Sequence, residues 1–305
     1  MKKKCNYSIH SLLVLCFLIN ITSSCKTEEA TASKPPTINT SLIQAGTFTM
    51  GSPMSELDRD TSETQHRITL SAYRMSKCQI MNAQYAAFLN DKNISNNGLY
   101  AAGAYPTKTL IFDNSENYDW GLHYSNNKWL PVPGYENNPV IDISWYGAVE
   151  FATYVGGTLP TEAQWEYACR AGTTTPFSTG NCITNLQANY NWSYPYGTTC
   201  TNTVTTNPGK PQLVSTYPAN AYGLYDMPGN VYEWCADRYS YYTTNSQTNP
   251  TGAVTGSERV VRGCSCFGRA LECRSANRYY ESTEYEYSNY QYASEDLGFR
   301  VVFVP

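Results

Sequence analysis

Short runs rich in β-branched and aromatic residues mark the candidate β-strands of this chain. The clearest are Gly46–Met50, Arg67–Tyr73, Arg259–Arg262 and Phe299–Val304. Val, Ile, Thr, Phe and Tyr pack well on a pleated, half-buried surface, so such runs favour strands. Because the runs are short and far apart, we expect several short strands rather than one large sheet.

Helices are predicted at three places, each by a polar residue in front of a run with helical spacing. Asn82 precedes Ala83–Asn90, Ser144 precedes Trp145–Val155, and Thr161 forms a capping box with Gln164 for a helix that ends at Gly172. A side-chain oxygen at the first position satisfies an unpaired backbone N–H, and glycine ends a helix easily. The long stretches between these elements are rich in Gly, Asn, Pro, Ser and Tyr. So much irregular chain in one domain normally needs crosslinks or metal ions.

The N-terminus has the pattern of an export signal. Lys2–Lys4 is basic, Leu12–Ile21 is apolar but too short to span a bilayer, and small residues then lead to Cys25. This resembles a bacterial lipoprotein signal, with residues 1–24 removed and Cys25 lipidated. The alternative is an ordinary secretory signal, with Cys25 as a spare thiol.

Residues 25–41 are polar and rich in Pro, Ser and Thr, so we expect a flexible tether there and a single domain over 42–305. A lipid anchor would place the protein in the bacterial cell envelope, on either side of the outer membrane. Without residues 1–24, 18 basic side chains stand against 25 acidic ones, a formal net charge near −7. With no basic patch, nucleic acid is not an expected partner.

Eight cysteines follow Cys25, an even number in an oxidising compartment, so disulfides are expected. Spacing alone leaves 105 possible pairings for eight thiols. Cys182 and Cys200 flank one loop and are expected to close it.

Seven phrases of the chain, in order, resemble the sulfatase-modifying-factor family, whose best-known members are formylglycine-generating enzymes. They are AGTFTMGS (45–52), MNAQYAAFLN (81–90), the long phrase NPVIDISW…CRAG (138–172), NAYGLYDMPGNVYEWCAD (220–237), RVVRG (259–263), CRSANR (273–278) and LGFRVV (297–302). The resemblance implies an α+β fold, a C-type-lectin-like fold of the formylglycine-generating-enzyme type. Such a domain is loop-rich, with few short helices and short antiparallel strands, and calcium often stabilises it.

In catalytic members of that family, two cysteines after a Gly-Gly-Ser-aromatic turn bind copper(I), for which two soft thiolates are suited. Here the turn reads Gly263-Cys264-Ser265-Cys266, and Phe267-Gly268 stands where the first copper cysteine would follow. Counting without a gap puts Cys273 at the second copper position. The phrase CRSANR, however, implies that Cys273 forms a structural disulfide with Cys169. The usual copper pair is therefore missing.

Two interpretations of Cys264 and Cys266 remain open. On a strand, residues two apart present their side chains on one face, which would suit a relocated copper(I) site or a redox pair. Alternatively, one or both are tied to another cysteine, with Cys235 and Cys78 as candidates. Glu162 and Glu166 are expected on a solvated or salt-bridged face of the third helix.

The resemblance also implies calcium. Asn230 and Glu233 match a family site that uses nearby backbone carbonyls, and Asn189 and Tyr190 resemble the start of a second site. The alternative is that Asn230 caps a turn while Glu233 pairs with an arginine. Gln79 stands where relatives usually carry a glutamate.

The segment 278–296 holds six tyrosines, Tyr279, Tyr280, Tyr285, Tyr287, Tyr290 and Tyr292. Tyrosine with Ser and Asn is typical of binding surfaces, because it supplies large amphipathic contact area. Related lectin-like domains present their ligand-facing loops here. A solvated loop that is merely tyrosine-rich is the alternative.

These features of the sequence are compatible with three alternative functions. The first is a lipid-anchored, calcium-stabilised binding protein that presents these tyrosines to a protein or glycan. The second is a copper-dependent formylglycine-generating oxidase that uses Cys264, Cys266 and Cys273. The third is a purely structural envelope lipoprotein.

Overall fold

The computed structural model describes residues 34–114, 116–283 and 293–305. Within these ranges the three α-helices are α1 (Asn82–Asp91), α2 (Trp145–Tyr154) and α3 (Glu162–Arg170), with a 3-10 helix at Ala270–Cys273. The strands are β1 (Thr40–Ile43), β2 (Gly46–Met50), β3 (His66–Leu70), β4 (Tyr73–Ser76), β5 (Leu122–Ser125), β6 (Lys128–Pro131), β7 (Tyr232–Arg238), β8 (Gln247–Thr248), β9 (Glu258–Arg262), β10 (Tyr279–Ser282), β11 (Leu297–Gly298) and β12 (Val302–Phe303). Among the described residues, no helix has the length and apolar character needed to cross a membrane.

The predicted helix starts are confirmed in two of three cases. The Ser144 hydroxyl accepts a hydrogen bond from Gly147 N, and Thr161 forms a reciprocal capping box with Gln164. α3 ends at Arg170, and its C-cap Ala171 adopts a left-handed conformation one residue before the predicted end at Gly172. α1 instead begins one residue early, since Met81 rather than Asn82 is its N-cap.

The strands form four small sheets, and the expected mixture of short helices and short strands is confirmed. One sheet has the order β10-β9-β7-β11, another β1-β4-β12, a third β2-β3-β8, and β5 pairs with β6. Two pairs are parallel, β11 with β7 and β3 with β8, and the others are antiparallel. The predicted strand Arg67–Tyr73 corresponds to most of β3 and the first residue of β4. Within the predicted strand Phe299–Val304, β12 is the part that forms a strand.

The domain begins earlier than residue 42. Thr40 and Ser41 pair with Ser76 and Met75 as part of β1. The backbone oxygen of Asn39 also accepts a hydrogen bond from Lys77 N. The last residues of the predicted tether therefore belong to a sheet, because their backbone groups find partners on β4.

Aromatic side chains of α1 and α2 build the largest core cluster. Tyr85, Phe88 and Phe151 are fully buried and pack against Phe299 near the end of the chain. Burying one such side chain contributes about 1.5–3 kcal/mol, so this cluster fixes the C-terminal segment against both helices. A second cluster lies between α3 and the sheet of β2 and β3, and a third surrounds the disulfides.

The carboxylates of α3 are buried rather than solvated. Glu166 lies 2.5 Å from Arg262 and 2.9 Å from Arg170, and Glu162 forms a two-bond pair with Arg278. The expectation of a salt-bridged face is thus confirmed and that of a solvated face is wrong. The reason is that the C-terminal half of the chain covers α3 with arginines, which local sequence does not reveal.

Candidate functional site: the cysteine loop and the exposed tyrosines

The segment Gly263–Cys273, here called the cysteine loop, follows β9 directly. Gly263 has a φ of +82°, a left-handed conformation that glycine adopts without strain, and the chain leaves the sheet there. Cys264 and Cys266 therefore lie in a loop. The expectation that they share one face of a strand is wrong, because β9 ends at Arg262.

Cys264 is bonded to Cys273 across the cysteine loop. The predicted bond between Cys169 and Cys273 is therefore wrong. Cys169 is a free thiol on α3, and the residue opposite it is Ser275, with 3.5 Å between Sγ and Oγ. The backbone N–H of Ser275 donates to Pro176 O, which holds residue 275 rather than 273 against α3.

Three further thiols in the described part of the chain are free, and burial disfavours their ionisation. Cys266, Cys235 and Cys78 have no disulfide partner, so the expectation that Cys235 or Cys78 closes a bond to Cys264 or Cys266 is wrong. Burial raises the pKa of Cys266 and Cys235, and it raises that of Cys78 to about 11. The predicted bond between Cys182 and Cys200 is confirmed.

The two positions that gap-free counting assigns to copper offer no pair of free thiols. Gly268 has no side chain, and Cys273 is bonded. A Cβ placed on Gly268 would lie 3.0 Å from Cys264 Sγ and 2.7 Å from Glu272 Oε2. A side chain at residue 268 would thus crowd the Cys264–Cys273 disulfide and Glu272, and the loop as described holds no second free thiol at that position.

Around the turn that precedes β7, four oxygens converge on the side chain of Gln79. Its Nε2 lies 3.0 Å from Glu233 Oε1 and from Val231 O, and 3.3 Å from Gly229 O and Asp226 O. An amide nitrogen carries only two hydrogens, so it cannot satisfy four acceptors. Three backbone carbonyls, a carboxylate and an amide that can turn its oxygen inward are a donor set that suits Ca²⁺.

Asn230 supports this oxygen cluster rather than joining it. Its Nδ2 donates to Gln79 Oε1 at 3.1 Å, and its Oδ1 accepts from Gln212 N and Asn189 Nδ2. Glu233 also forms two bonds of 2.7 Å with Arg300. The expected pairing of Glu233 with an arginine is thus confirmed, and its Oε1 also lies 3.0 Å from Gln79 Nε2 beside the converging carbonyls.

The two members of the predicted second calcium site point in different directions. Asn189 contacts Asn230, whereas the Tyr190 hydroxyl bonds to Ile183 O and Asn202. Asn189 Oδ1 is buried without a hydrogen-bond partner. In the described part of the chain, no group of three or more His, Cys, Asp or Glu side chains surrounds a common point.

Two of the six predicted ligand-binding tyrosines lie in the described part of the chain. Tyr279 and Tyr280, both on β10, are 52% and 43% exposed. Tyr279 stacks on Tyr232 with 6.1 Å between ring centroids, and Tyr280 lies 4.5 Å from Tyr239. The other four, Tyr285, Tyr287, Tyr290 and Tyr292, lie outside the described residues.

Sequence reasoning missed Tyr232, Phe267 and Glu272, which lie beside Tyr279 in the same cavity. Tyr232 directs its hydroxyl to Glu272 Oε2 at 3.1 Å. Strand alternation places Tyr232 on the same face of β7 as the buried Trp234, so the sequence pattern gave no signal that Tyr232 is accessible. Without the pairing of β7 with β9 and β11, that alternation could not be connected to Tyr279.

Comparisons with known proteins identify the family and the fold of this chain. A family model described as "Sulfatase-modifying factor enzyme 1-like domain" matches residues 26–304. The formylglycine-generating enzyme of Mus musculus is 28% identical over 259 residues, covering 77% of this chain and 70% of the mouse protein. The serine/threonine-protein kinase pkn1 of Chlamydia caviae is 32% identical over 259 residues, covering 83% of this chain but 37% of the kinase.

Among solved structures, Treponema denticola variable protein 1 superposes with a TM-score of 0.61 and 22% identity, over 87% of this chain and 95% of that one. This likeness shows the fold and confirms the expected C-type-lectin-like architecture of the formylglycine-generating-enzyme type. The match of the family model over nearly the whole chain decides the classification: the protein belongs to the sulfatase-modifying factor enzyme 1-like domain family.

Proposed function

We propose that this protein is a lipid-anchored module of the bacterial cell envelope that binds a ligand and does not oxidise cysteine. The observation that carries the proposal is the state of the cysteine loop. Gly268 supplies no thiol and Cys264 is bonded to Cys273, so a two-thiolate copper site is absent from the loop as described. A fold shared with oxidases does not by itself confer their chemistry.

Binding is favoured by the surface next to that loop. Tyr279 and Tyr280 expose large rings whose neighbours, Tyr232 and Tyr239, hold them in place. Rigid aromatic side chains supply contact area at a low cost in conformational entropy. The ligand is a protein or glycan at the envelope, and Tyr285, Tyr287, Tyr290 and Tyr292, which lie outside the described residues, are further candidate contacts in this proposal.

Calcium stabilises the domain in this proposal. Gln79, Glu233 and the carbonyls of Asp226, Gly229 and Val231 would hold the ion, which supplies positive charge for oxygens that one amide cannot satisfy. Asn230 orients Gln79. Since this cluster lies directly before β7, its occupancy fixes the strand that carries Tyr232.

Residues 1–24 serve as the signal in this account, Cys25 carries the lipid, and the next residues act as a spacer to the membrane. Replacing Cys25 with serine should release the protein from membranes into the soluble fraction. If C25S stays with the membrane fraction after carbonate washing, the lipid anchor is wrong.

The alternative function is a copper-dependent oxidase, and the adjacency of Cys264 and Cys273, which are bonded to each other, favours it. Reduction of the Cys264–Cys273 disulfide would give two thiols in the same loop, next to the position of residue 268. Copper(I) would then be held by Cys264 and Cys273, while Cys266 stays buried with a raised pKa.

The two functions separate in one experiment. The purified full chain is incubated with copper(I), oxygen and a CxPxR peptide, with and without reductant, and aldehyde formation is followed by mass spectrometry. In parallel, panels of peptides and glycans are tested for binding to the wild type and to Y279S/Y280S. We expect no aldehyde, and binding that the double variant loses; aldehyde formation that C273S abolishes would support the oxidase instead.

A further inference from the structure

One face of the sheet β10-β9-β7-β11, buried at Val261 and Leu297 and exposed at Tyr279, forms the floor of a groove. Tyr279 on β10 lies opposite Val261 on β9, and Tyr232 on β7 lies opposite Leu297 on β11. Directly paired residues share one face of a sheet, so these side chains point to the same side. Glu281, two residues after Tyr279, joins them.

The cysteine loop and the segment before β11 form the walls. Phe267 and Glu272 stand on one side, and Ser294–Asp296 on the other. The enclosed volume is about 580 Å³, large enough for an extended side chain and its flanking backbone. The Cys264–Cys273 disulfide fixes the first wall, because it closes the loop that carries Phe267 and Glu272.

The apolar surface of the groove is aromatic and accessible. Tyr279 is 52% exposed and Phe267 is 40% exposed, although both have large apolar rings. Tyr279 lies roughly parallel to Tyr232, with 28° between the ring planes. Ring faces of this kind attract cations, by about 0.5–2 kcal/mol per contact.

The polar surface of the groove is strongly acidic. Among the lining residues that the structure describes, carboxylates belong to Glu272, Glu281, Glu295 and Asp296. The one basic residue of this described lining, Arg278, is buried and bonded to Glu162 at 2.7 and 2.8 Å. Glu272 also meets the half-exposed Arg269 at 3.2 Å on the outer side, a contact that solvent screens.

Two groups respond to this negative charge, Tyr279 in the lining and Asp142, whose backbone N–H donates to Ser294 O. Burial raises the pKa of Asp142 to about 7, and Glu295 and Asp296 add to that shift. Burial followed by the charges of Glu281 and others raises the pKa of Tyr279. The carboxylates therefore create a negative electrostatic potential in the groove. A cationic ligand would reduce the repulsion among them.

We infer that this groove binds an arginine side chain from a basic segment of a partner protein, held between the ring of Tyr279 and the carboxylates of Glu295 and Asp296. This inference rests on the proposed binding function and names the chemical class of its ligand. Arginine fits better than lysine, because its planar guanidinium stacks on a ring and donates to carboxylates at the same time.

The test uses fluorescence anisotropy of the full chain with a fluorescein-labelled Gly-Ser-Arg-Gly-Arg-Ser-Gly peptide. A matched peptide carries citrulline, which retains the shape of arginine but not its charge. We expect the arginine peptide to bind at least tenfold more tightly, with an affinity that falls as salt rises. E295Q/D296N should lose roughly tenfold in affinity, which corresponds to about 1.4 kcal/mol.

E136Q is the control, because Glu136 is an exposed acid remote from the groove lining. It should leave the affinity unchanged, and thermal unfolding of each variant should match that of the wild type. Equal binding of the arginine and citrulline peptides, with both lost in Y279S, would overturn the cationic ligand but keep the binding function. Failure of both peptides to bind would overturn this inference, while the glycan and peptide panels decide the proposed function separately.

Discussion

Cys169 on α3 faces Ser275, with 3.5 Å between Sγ and Oγ, so the position that the family resemblance assigns to a disulfide holds one cysteine and one serine. The next cysteine upstream, Cys273, is two residues away and is bonded to Cys264. This offset explains why the phrase CRSANR led to a wrong pairing. By sequence, Cys273 is aligned with the family cysteine that would bond to Cys169, but in the fold Ser275 is the residue that faces Cys169.

Ser275→Cys should therefore create a bond to Cys169. A crosslink that closes such a long loop stabilises by about 2–4 kcal/mol, through the entropy of the unfolded chain. Non-reducing peptide mass spectrometry should detect Cys169 bonded to the introduced thiol, and the unfolding midpoint should rise only without reductant. S275A is the control; if S275C stays reduced and Cys169 is instead found bonded to Cys273, the offset is wrong.

Glu166 and Arg262 form the most deeply buried ion pair of α3, since both side chains are fully inaccessible. Glu166→Gln would leave the Arg262 charge without its main partner in a site shielded from water. The expected loss is about 3–5 kcal/mol of unfolding free energy, measured by urea titration. E136Q, on the surface, should cost less than about 0.5 kcal/mol; a comparable loss in both variants would contradict the assignment.

The four oxygens around Gln79 predict calcium-dependent stability. EDTA should lower the melting temperature of the wild type by roughly 5 °C, which corresponds to about 2 kcal/mol for a domain of this size. Gln79→Glu adds a charged ligand, so it should be less stable than the wild type in EDTA and show a larger gain with calcium. A melting temperature that calcium and EDTA leave unchanged in both proteins would contradict the site.

Asp237 gives a pH dependence whose sign follows from its folded-state pKa. Burial raises that pKa from 3.8 to about 7, and the charge of Glu162 adds to the shift. Between these two values the folded state binds more protons than the unfolded state, so this group's contribution to stability falls as the pH rises from about 4 to about 7. Each unit of pKa difference corresponds to about 1.4 kcal/mol.

Asp237→Asn should remove that slope, because asparagine does not titrate and its side-chain oxygen can still accept the bond from Glu162 N. Urea unfolding at several pH values measures the effect. A variant whose stability falls with pH as steeply as that of the wild type would show that another group is responsible.

Local sequence predicted the parts of the fold that neighbours in the chain determine. Ser144 and Thr161 cap their helices because each bonds to a backbone N–H three residues away. The contact between Gln79 and Glu233 could not be predicted in this way, since 154 residues separate them. The family resemblance implied that Glu233 is a metal ligand. Only the fold shows that the side chain of Gln79 lies next to the Glu233 carboxylate.

Only some of the residues that line the groove could be predicted from the sequence. Tyr279 and the acids near Asp296 lie in the tyrosine-rich segment, so composition singled them out. Tyr232 and Glu272 come from other elements, and they join the groove through the parallel pairing of β11 with β7 and through the cysteine loop. Parallel pairing of two-residue strands leaves no pattern that a single sequence displays.

The proposed function requires that the cysteine loop is crosslinked and holds no copper. The most direct measurement is a cysteine map of the purified, oxidised chain by alkylation and non-reducing peptide mass spectrometry, followed by copper(I) titration. We predict a Cys264–Cys273 bond, a free Cys266 that alkylates only after denaturation because burial raises its pKa, and no bound copper. Free, alkylated Cys264 and Cys273 with one copper(I) bound per chain would contradict this prediction and favour the oxidase, which the peptide assay would then test.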